Sequence, residues 1–260
     1  MFEDRLSDRL RDLIYPTFQA IVDSHGRVLY YEACTRTFAA PHTNTHVKLL
    51  SIAEAIGFID LVDHVIAGKA IEQALHAGVP VGVNASVFTI ERSAESYLRL
   101  VSSGRRLPGG LIVEITETIE SQNFGLVLEF VRDARRLGAR IALDDFGTGS
   151  FTDDDVHAVR PNLVKIALPR VHEAVASEAG RKWLLDAVAT AHRVGAKMIA
   201  EGIESPAQQR LMENLGIGYF QGFALSLPSH LLPRRIEEVP AASRAFPHNV
   251  MPLYRSEAVS

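Results

Sequence analysis

Side chains that carry oxygen follow short apolar runs at several points along the chain, and each run comes after a glycine. In three places the glycine and the polar residue are six positions apart: Gly78 and Asn84, Gly138 and Asp144, and Gly195 and Glu201. Glu114 ends a shorter run of the same kind. Such runs are typical of strands buried on both faces of a parallel sheet. Because clustered carboxylates repel one another unless they share a cation, the pattern predicts a cation-binding cluster.

Asp144 and Asp145 open the segment DDFGTG at residues 144–149 and are the strongest candidates for chemistry. One interpretation is a helix N-cap beside a solvated aspartate, and the other is a pair of metal ligands. The second is favoured by further oxygen ligands at predicted strand ends: Glu32, Asn84, Glu114 and Glu201. Oxygen ligands without histidine favour Mg²⁺ or Mn²⁺ over zinc. Two ions that share Asp144 would suit an in-line displacement on phosphorus.

Lys165 lies in the apolar run Leu163–Ile166, part of the segment 163–168 that we predict to be a buried strand. A lysine in such a strand is costly unless it meets carboxylates. A lysine at the rim of the sheet, with its ammonium in solvent, is the alternative. Beside an acidic cluster, a lysine within the site is favoured, where it would hold a phosphate oxygen or the attacking water.

Predicted strands alternate with predicted helices, which indicates a parallel sheet, and eight strands in one chain of this length indicate closure. The predicted fold class is therefore α/β, a TIM-type (β/α)8 barrel. Its first two strands, 17–23 and 27–33, are predicted to form an antiparallel hairpin. A helix is predicted over 2–14, one long helix over 171–194, and the last strand over 218–225. We expect one barrel domain over 1–240 and a tail over 241–260.

Composition narrows the class of protein. The chain has 260 residues, of which 47% are hydrophobic, and a net charge of −4. This charge and the lack of a long basic run argue against binding to DNA or RNA. A single cysteine, Cys34, excludes an internal disulfide and fits a reducing compartment. Since no segment reads as a signal peptide or a bilayer span, we expect a cytoplasmic, stand-alone domain without membrane contact.

Seven short motifs are spread along most of the chain. They are YEACTR at 31–36, VNAS at 83–86, EITE at 114–117, DDFGTG at 144–149, KI at 165–166, AEGIE at 200–204 and FQGF at 220–223. In order and spacing they resemble the EAL family of cyclic di-GMP phosphodiesterases, from about residue 17 to 228. The resemblance implies hydrolysis of cyclic di-GMP to linear pGpG.

The resemblance also implies roles for individual residues. Two Mg²⁺ or Mn²⁺ ions are implied, one held by Glu32, Asn84, Glu114 and Asp144, the other by Asp144, Asp145 and Glu201. Asp145, Lys165 and Glu201 would be catalytic, with Lys165 orienting the water and Glu201 acting as a ligand or as the general base. Substrate contacts are implied for Gln19, Arg36, Glu204 and Gln221, and Glu117 would steady the loop after Asp145. A homodimer is the implied assembly, coupled to the metals through the loop after Gly149.

Some positions depart from the family's pattern. Cys34 replaces the signature leucine, Ala167 replaces an aspartate two residues after Lys165, and residues 150–155 differ in type. Residues two apart on a strand share a face, so Ala167 would remove a carboxylate near the lysine. These changes favour an alternative, a non-catalytic cyclic di-GMP receptor or protein-interaction module, whereas the complete set of ligand types favours the phosphodiesterase. A barrel enzyme for a small phosphorylated metabolite is disfavoured, because no glycine-rich phosphate loop lies near the last strands.

Overall fold

Eight strands close into a barrel in chain order, within residues 2–38, 45–116, 124–149 and 151–234, which this computed structural model describes. The strands are β1 Ile14–Asp23, β2 Val28–Thr37, β3 Val81–Ser86, β4 Ile112–Thr116, β5 Arg140–Phe146, β6 Leu163–Ile166, β7 Lys197–Ala200 and β8 Tyr219–Phe220. The helices are α1 Phe2–Leu13, α2 Thr45–Ala55, α3 Ile59–Ala77, α4 Val87–Ser103, α5 Phe124–Arg136, α6 Asp153–Val159, α7 Leu168–Ala176, α8 Glu178–Val194 and α9 Pro206–Asn214. The predicted tail at 241–260 lies outside the described residues.

Strand β1 runs antiparallel to both of its neighbours, β2 and β8. Each remaining neighbouring pair, from β2–β3 to β7–β8, is parallel. The predicted TIM-type (β/α)8 barrel with an antiparallel first strand is therefore confirmed. Among the described residues, no helix is both long and apolar enough to cross a bilayer.

Glycines at the ends of three helices turn the chain into the following strands. Gly78, Gly138 and Gly195 have φ angles of 72°, 90° and 79°, the left-handed region that glycine enters without a steric penalty. The backbone N–H of Gly78 donates to the carbonyl of Ala74 and so closes the last turn of α3. After each of these glycines the chain enters a strand, and the polar residue follows six positions after the glycine, as the sequence predicts.

Alternation along the strands builds two layers inside the barrel. The residue two positions before each site residue faces the same side of its strand. These pairs are Tyr30 and Glu32, Gly82 and Asn84, Ile112 and Glu114, Ala142 and Asp144, and Leu163 and Lys165. Together with Ile21 and Ile199, the large apolar members of these pairs form one buried cluster. A packed apolar layer thus supports the polar one.

Several predicted element bounds are wrong. Strand β1 begins at Ile14 rather than at residue 17, and β2 ends at Thr37 rather than at residue 33. The single helix over 171–194 is two helices, because Ser177 adopts an extended conformation and its side chain accepts a hydrogen bond from the Gly180 N–H as the N-cap of α8. Strand β6 ends at Ile166, and Ala167 precedes the first residue of α7. Strand β8 ends at Phe220, after which a turn bonds the N–H of Leu225 to the carbonyl of Gly222. A Cβ built on Gly222 would overlap the backbone of Ile203, so this turn requires glycine.

Candidate active site

The polar layer of the barrel brings together side chains from six consecutive strands. Glu32, Asn84, Glu114, Asp144 and Lys165 lie on β2 to β6, and Glu201 directly follows β7. The register places Asn84 beside Glu114 on the neighbouring strand, and Gln19 beside Glu32. The sequence prediction that these residues converge is supported by this arrangement.

Lys165 occupies the centre of the acidic cluster and is 1% exposed. Its Nζ lies 2.6 Å from Glu114 Oε2, 2.8 Å from Glu201 Oε1, 2.9 Å from Glu32 Oε2 and 3.0 Å from Asp144 Oδ1. The alternative prediction, in which Lys165 lies at the rim of the sheet with its ammonium in solvent, is therefore wrong. One ammonium meets four carboxylates, so the cluster retains negative charge that a further cation can neutralise.

Two groups of carboxylates have the spacing of metal ligands. One contains Glu32, Glu114 and Asp144, and the other contains Asp144, Asp145 and Glu201; within each group the ligand atoms lie within 4.8 Å of one another. Both groups include Asp144, as predicted for two ions that share it. Within the described part of the chain, the buried Oδ1 of Asn84 and Oε1 of Glu114 have no hydrogen-bond partner. Unsatisfied buried oxygens beside excess negative charge suit a hard divalent cation.

Burial and mutual repulsion perturb the titration of these carboxyls. Desolvation raises the pKa of Glu114 to about 8 and that of Asp144 to about 6, although Lys165 opposes both shifts. Desolvation also raises the pKa of Glu201. For Glu32, desolvation is outweighed by Lys165 and by the hydrogen bond from Gln221, so its pKa is lowered. Glu114, Asp144 and Glu201 therefore hold protons more readily than Glu32 does.

Two buried glutamines, Gln19 on β1 and Gln221 directly after β8, connect Glu32 to the strands that close the barrel. Gln221 Nε2 donates to Glu32 Oε2 at 2.7 Å and to Gln19 Oε1 at 3.2 Å. Gln19 Nε2 in turn donates to the carbonyl of Ser226 at 2.9 Å. These contacts place both predicted substrate-binding glutamines in the cluster. They also fix which oxygen of Glu32 faces Lys165.

The position of Asn84 depends on polar contacts from α3 and α4. Tyr97, fully buried, donates its hydroxyl to the main-chain carbonyl of Asn84. Asp63 accepts from the N–H of Ser86 at 2.9 Å and from the hydroxyl of Thr89. Desolvation raises the pKa of Asp63 to about 6. The end of β3 is thus held from two helices.

Gly82 makes room for the side chain of Glu114. A Cβ built at this position would overlap Oε1 of Glu114 and the ring of Tyr30. Sequence reasoning missed this residue, because the requirement comes from the neighbouring strands and leaves no local signal. It also missed Tyr97 and Asp63, whose helices read as ordinary amphipathic segments.

The remaining predicted residues are less closely associated with the cluster. Arg36 lies on the same strand face as Glu32, half-exposed, and its Nη1 donates to the carbonyl of Thr35 at 2.8 Å. Glu204 is exposed, as is Asp145, whereas the other clustered carboxylates are buried or partly buried. Glu117 and Ser150 lie outside the described residues, so the predicted loop contact of Glu117 stays a prediction.

Comparison with known proteins gives consistent matches to one family. The family model described as the EAL domain matches residues 3–228. MucR of Pseudomonas aeruginosa, named a bifunctional diguanylate cyclase/cyclic di-GMP phosphodiesterase, is 25% identical over 232 residues, which are 84% of this chain and 33% of MucR. PdeI of Escherichia coli, named a probable cyclic di-GMP phosphodiesterase, is 27% identical over 228 residues, covering 83% of this chain and 29% of PdeI.

A solved structure has the same architecture. The PaMucR phosphodiesterase in complex with c-di-GMP aligns with a TM-score of 0.72 at 25% identity, over 88% of this chain and 96% of that one. The chain spans about a third of the length of the curated relatives, 33% of MucR and 29% of PdeI.

Proposed function

The chain belongs to the EAL domain family, and from that premise we propose that it is a metal-dependent phosphodiesterase that hydrolyses cyclic di-GMP to linear 5′-pGpG. One observation carries the proposal: two carboxylate groups with metal-ligand spacing share Asp144, and Lys165 lies among them. A structural ion pair would need one carboxylate for one lysine. The excess of buried acid is costly unless it serves to bind cations.

In this proposal Glu32, Asn84, Glu114 and Asp144 hold one Mg²⁺ or Mn²⁺ ion, and Asp144, Asp145 and Glu201 hold a second. When bound, two such ions stabilise both the attacking and the leaving oxygens of an in-line displacement on phosphorus. The unpartnered oxygens of Asn84 and Glu114 support the first ligand set. The spacing within the Asp144, Asp145 and Glu201 group supports the second.

The chain's own residues would orient the reactants and handle the proton. Lys165 would hold the attacking water or a phosphate oxygen through its ammonium. Glu201, whose Oε1 lies 2.8 Å from the Lys165 ammonium, would accept the proton from the water. Gln221 Oε1, buried without a partner among the described residues, would accept from the N–H groups of a guanine. Arg36, on the same face as Glu32, would contact the phosphate or the other guanine.

Three further expectations stay predictions. They are a cytoplasmic location, a homodimer, and no binding to DNA or RNA. Light scattering of the purified protein tests the dimer, and a gel-shift assay tests nucleic-acid binding.

Chromatography of the reaction products tests the proposed activity. With Mg²⁺ or Mn²⁺, the purified protein is expected to convert cyclic di-GMP to pGpG, and Glu32→Ala and Asp144→Asn to abolish turnover while the circular dichroism spectrum is retained. Glu95→Ala, at an exposed residue paired with Arg99, is the matched control and should keep full activity. Binding of cyclic di-GMP without pGpG under either metal would instead identify a non-catalytic receptor.

A further inference from the structure

The turn after Asp144 has an unusual backbone conformation. Asp145 has φ 53°, a left-handed conformation that is uncommon for a residue with a side chain, and Gly147 has φ 100°. The Asp145 carbonyl accepts from the N–H of Thr148 at 3.2 Å and from its hydroxyl at 3.1 Å. This conformation brings the Asp145 carboxylate to Asp144 and Glu201. Such a conformation persists only where surrounding contacts hold it.

Arg170, in the first turn of α7, supplies such a contact. Its Nε donates to the carbonyl of Gly147 at 2.6 Å. Its guanidinium carbon lies 4.6 Å from the ring centroid of Trp183, a cation–π distance. The Trp183 ring also lies 6.0 Å from the ring of Phe146, so the turn, the arginine and the tryptophan form one packed unit.

Gly147 fits closely against this unit. A Cβ at this position would overlap Cη2 of Trp183 and would lie 2.9 Å from Cγ of Arg170. The backbone of the turn therefore rests directly on the two side chains. Arg170 also pairs with Glu173, but that glutamate is 52% exposed and the pair contributes little.

We infer that Arg170, stacked on Trp183, is a positioning residue that fixes the Asp145–Gly147 turn and thereby controls binding of the second metal ion, held by Asp144, Asp145 and Glu201. Glu32 and Glu114, which belong to the other ligand group, lie on β2 and β4 and are not part of this turn. Loss of the arginine should therefore weaken one site selectively. The inference rests on the ligand sets of the proposed function.

Equilibrium dialysis of metal-free protein against Mn²⁺, without substrate, tests this selectivity. Wild type should bind two ions, and Arg170→Ala should retain one site unchanged while the other weakens by about tenfold or more, the usual cost of losing an outer-shell contact. Arg170→Lys keeps a donor but loses the planar stack, so its loss should be smaller. Trp183→Leu should act in the same direction as Arg170→Ala.

Arg181→Ala is the matched control. Arg181 also donates to a main-chain carbonyl, that of Ala174 at 3.1 Å, without a described contact to the turn. Both Mn²⁺ sites should be unchanged in this variant. Two unchanged sites in Arg170→Ala would overturn the inference, and so would equal weakening of both sites with a lower unfolding temperature, which marks a general structural role.

Failure of the inference and failure of the proposed function give different results. A wild type that binds two Mn²⁺ ions but produces no pGpG contradicts the proposed activity and leaves the role of Arg170 supported by its own titration. An active wild type with an unchanged Arg170→Ala isotherm contradicts only the inference.

Discussion

Lys165 supplies a buried positive charge within the acidic cluster. Its ammonium lies within 3.0 Å of carboxylate oxygens from four strands or strand ends. These contacts outweigh desolvation and raise its pKa well above the usual value, so it stays charged. Without it, buried carboxylates would face one another with no counter-charge. The lysine therefore stabilises the fold as well as the proposed chemistry.

Removal of this ammonium should destabilise the metal-free protein. We expect Lys165→Met to lower the free energy of unfolding by about 3–5 kcal/mol, the usual effect of breaking a buried ion pair from one side. Urea denaturation at pH 7 with a chelator measures the change, and added Mn²⁺ should recover part of it. Lys197→Met, at an exposed lysine bonded to Tyr219, is the control. An equal loss in both variants would contradict the role of Lys165.

Gly82 offers a steric test of the same cluster. In Gly82→Ala the new methyl group must displace Glu114 or Tyr30, so we expect a loss of stability of about 1–3 kcal/mol and weaker Mn²⁺ binding. Calorimetric titration of the metal and thermal unfolding measure the two effects. Gly218→Ala, where a Cβ meets nothing within 4 Å, should change neither. Unaltered Mn²⁺ affinity in Gly82→Ala would contradict the expected displacement of Glu114.

Helix α7 begins without a capping side chain. Ala167 occupies the N-cap position, and no side chain there satisfies the free N–H groups of the first turn. The neighbouring helices α8 and α9 have Ser177 and Ser205 as N-caps. The aspartate expected at 167 from the family resemblance would thus have been a helix cap as well as a carboxylate near Lys165.

Ala167→Ser should restore the missing cap. We expect a gain of about 1 kcal/mol in the free energy of unfolding, or about 2–4 °C in the unfolding temperature. Differential scanning calorimetry measures the shift. Ser205→Ala, which removes the hydrogen bond from the Gln208 N–H, should lower the temperature by a similar amount. A lower unfolding temperature in Ala167→Ser would mean that the buried position rejects the hydroxyl.

Local signals in the sequence predicted most elements, and non-local packing explains the errors. Gly78 and Gly195 mark helix ends because left-handed backbone favours glycine at any depth in the fold. Ser177 also carried a local signal, but the apolar pattern continues past it and suggested one helix. The close approach of Gly222 to Ile203 joins the turns after β8 and β7, and the close fit of Gly147 against Trp183 also joins separate elements. Such contacts have no signature in a single sequence.

Local signals also predicted part of the site. Strand alternation and a parallel order place Glu114 and Asp144 on one face from spacing alone. The direct contacts of Lys165 follow once the strands converge. The selection of Arg170 as a partner for the Gly147 carbonyl does not follow, because it requires the exact path of the turn.

At the scale of the whole molecule, the buried carboxyls couple stability to pH. Folding raises the pKa of Glu114 from 4.5 to about 8 and that of Asp144 from 3.8 to about 6, chiefly by desolvation. The folded state therefore binds these protons more tightly than the unfolded chain does. Between pH 4.5 and about 8 the stability of the metal-free protein should fall as the pH rises.

Urea midpoints at several pH values measure this dependence. We expect a lower midpoint near pH 8 than near pH 5.5 in the presence of a chelator, with Lys165 charged throughout. Excess Mn²⁺ should remove most of the slope, because bound cations favour the ionised carboxylates. A midpoint that rises with pH in metal-free protein would contradict the raised pKa values.

The closure of the barrel has a consequence for biosynthesis. Strands β1 and β8 meet through only two described residue pairs, Val22 with Phe220 and Asp23 with Tyr219. Across this seam Gln221 reaches Glu32, a partner 189 positions earlier. A nascent chain on the ribosome carries Glu32 long before it carries Gln221, since translation proceeds from the amino end. The proposed ligand set can therefore be completed only after nearly the whole barrel has been translated, and a prematurely terminated product would lack it.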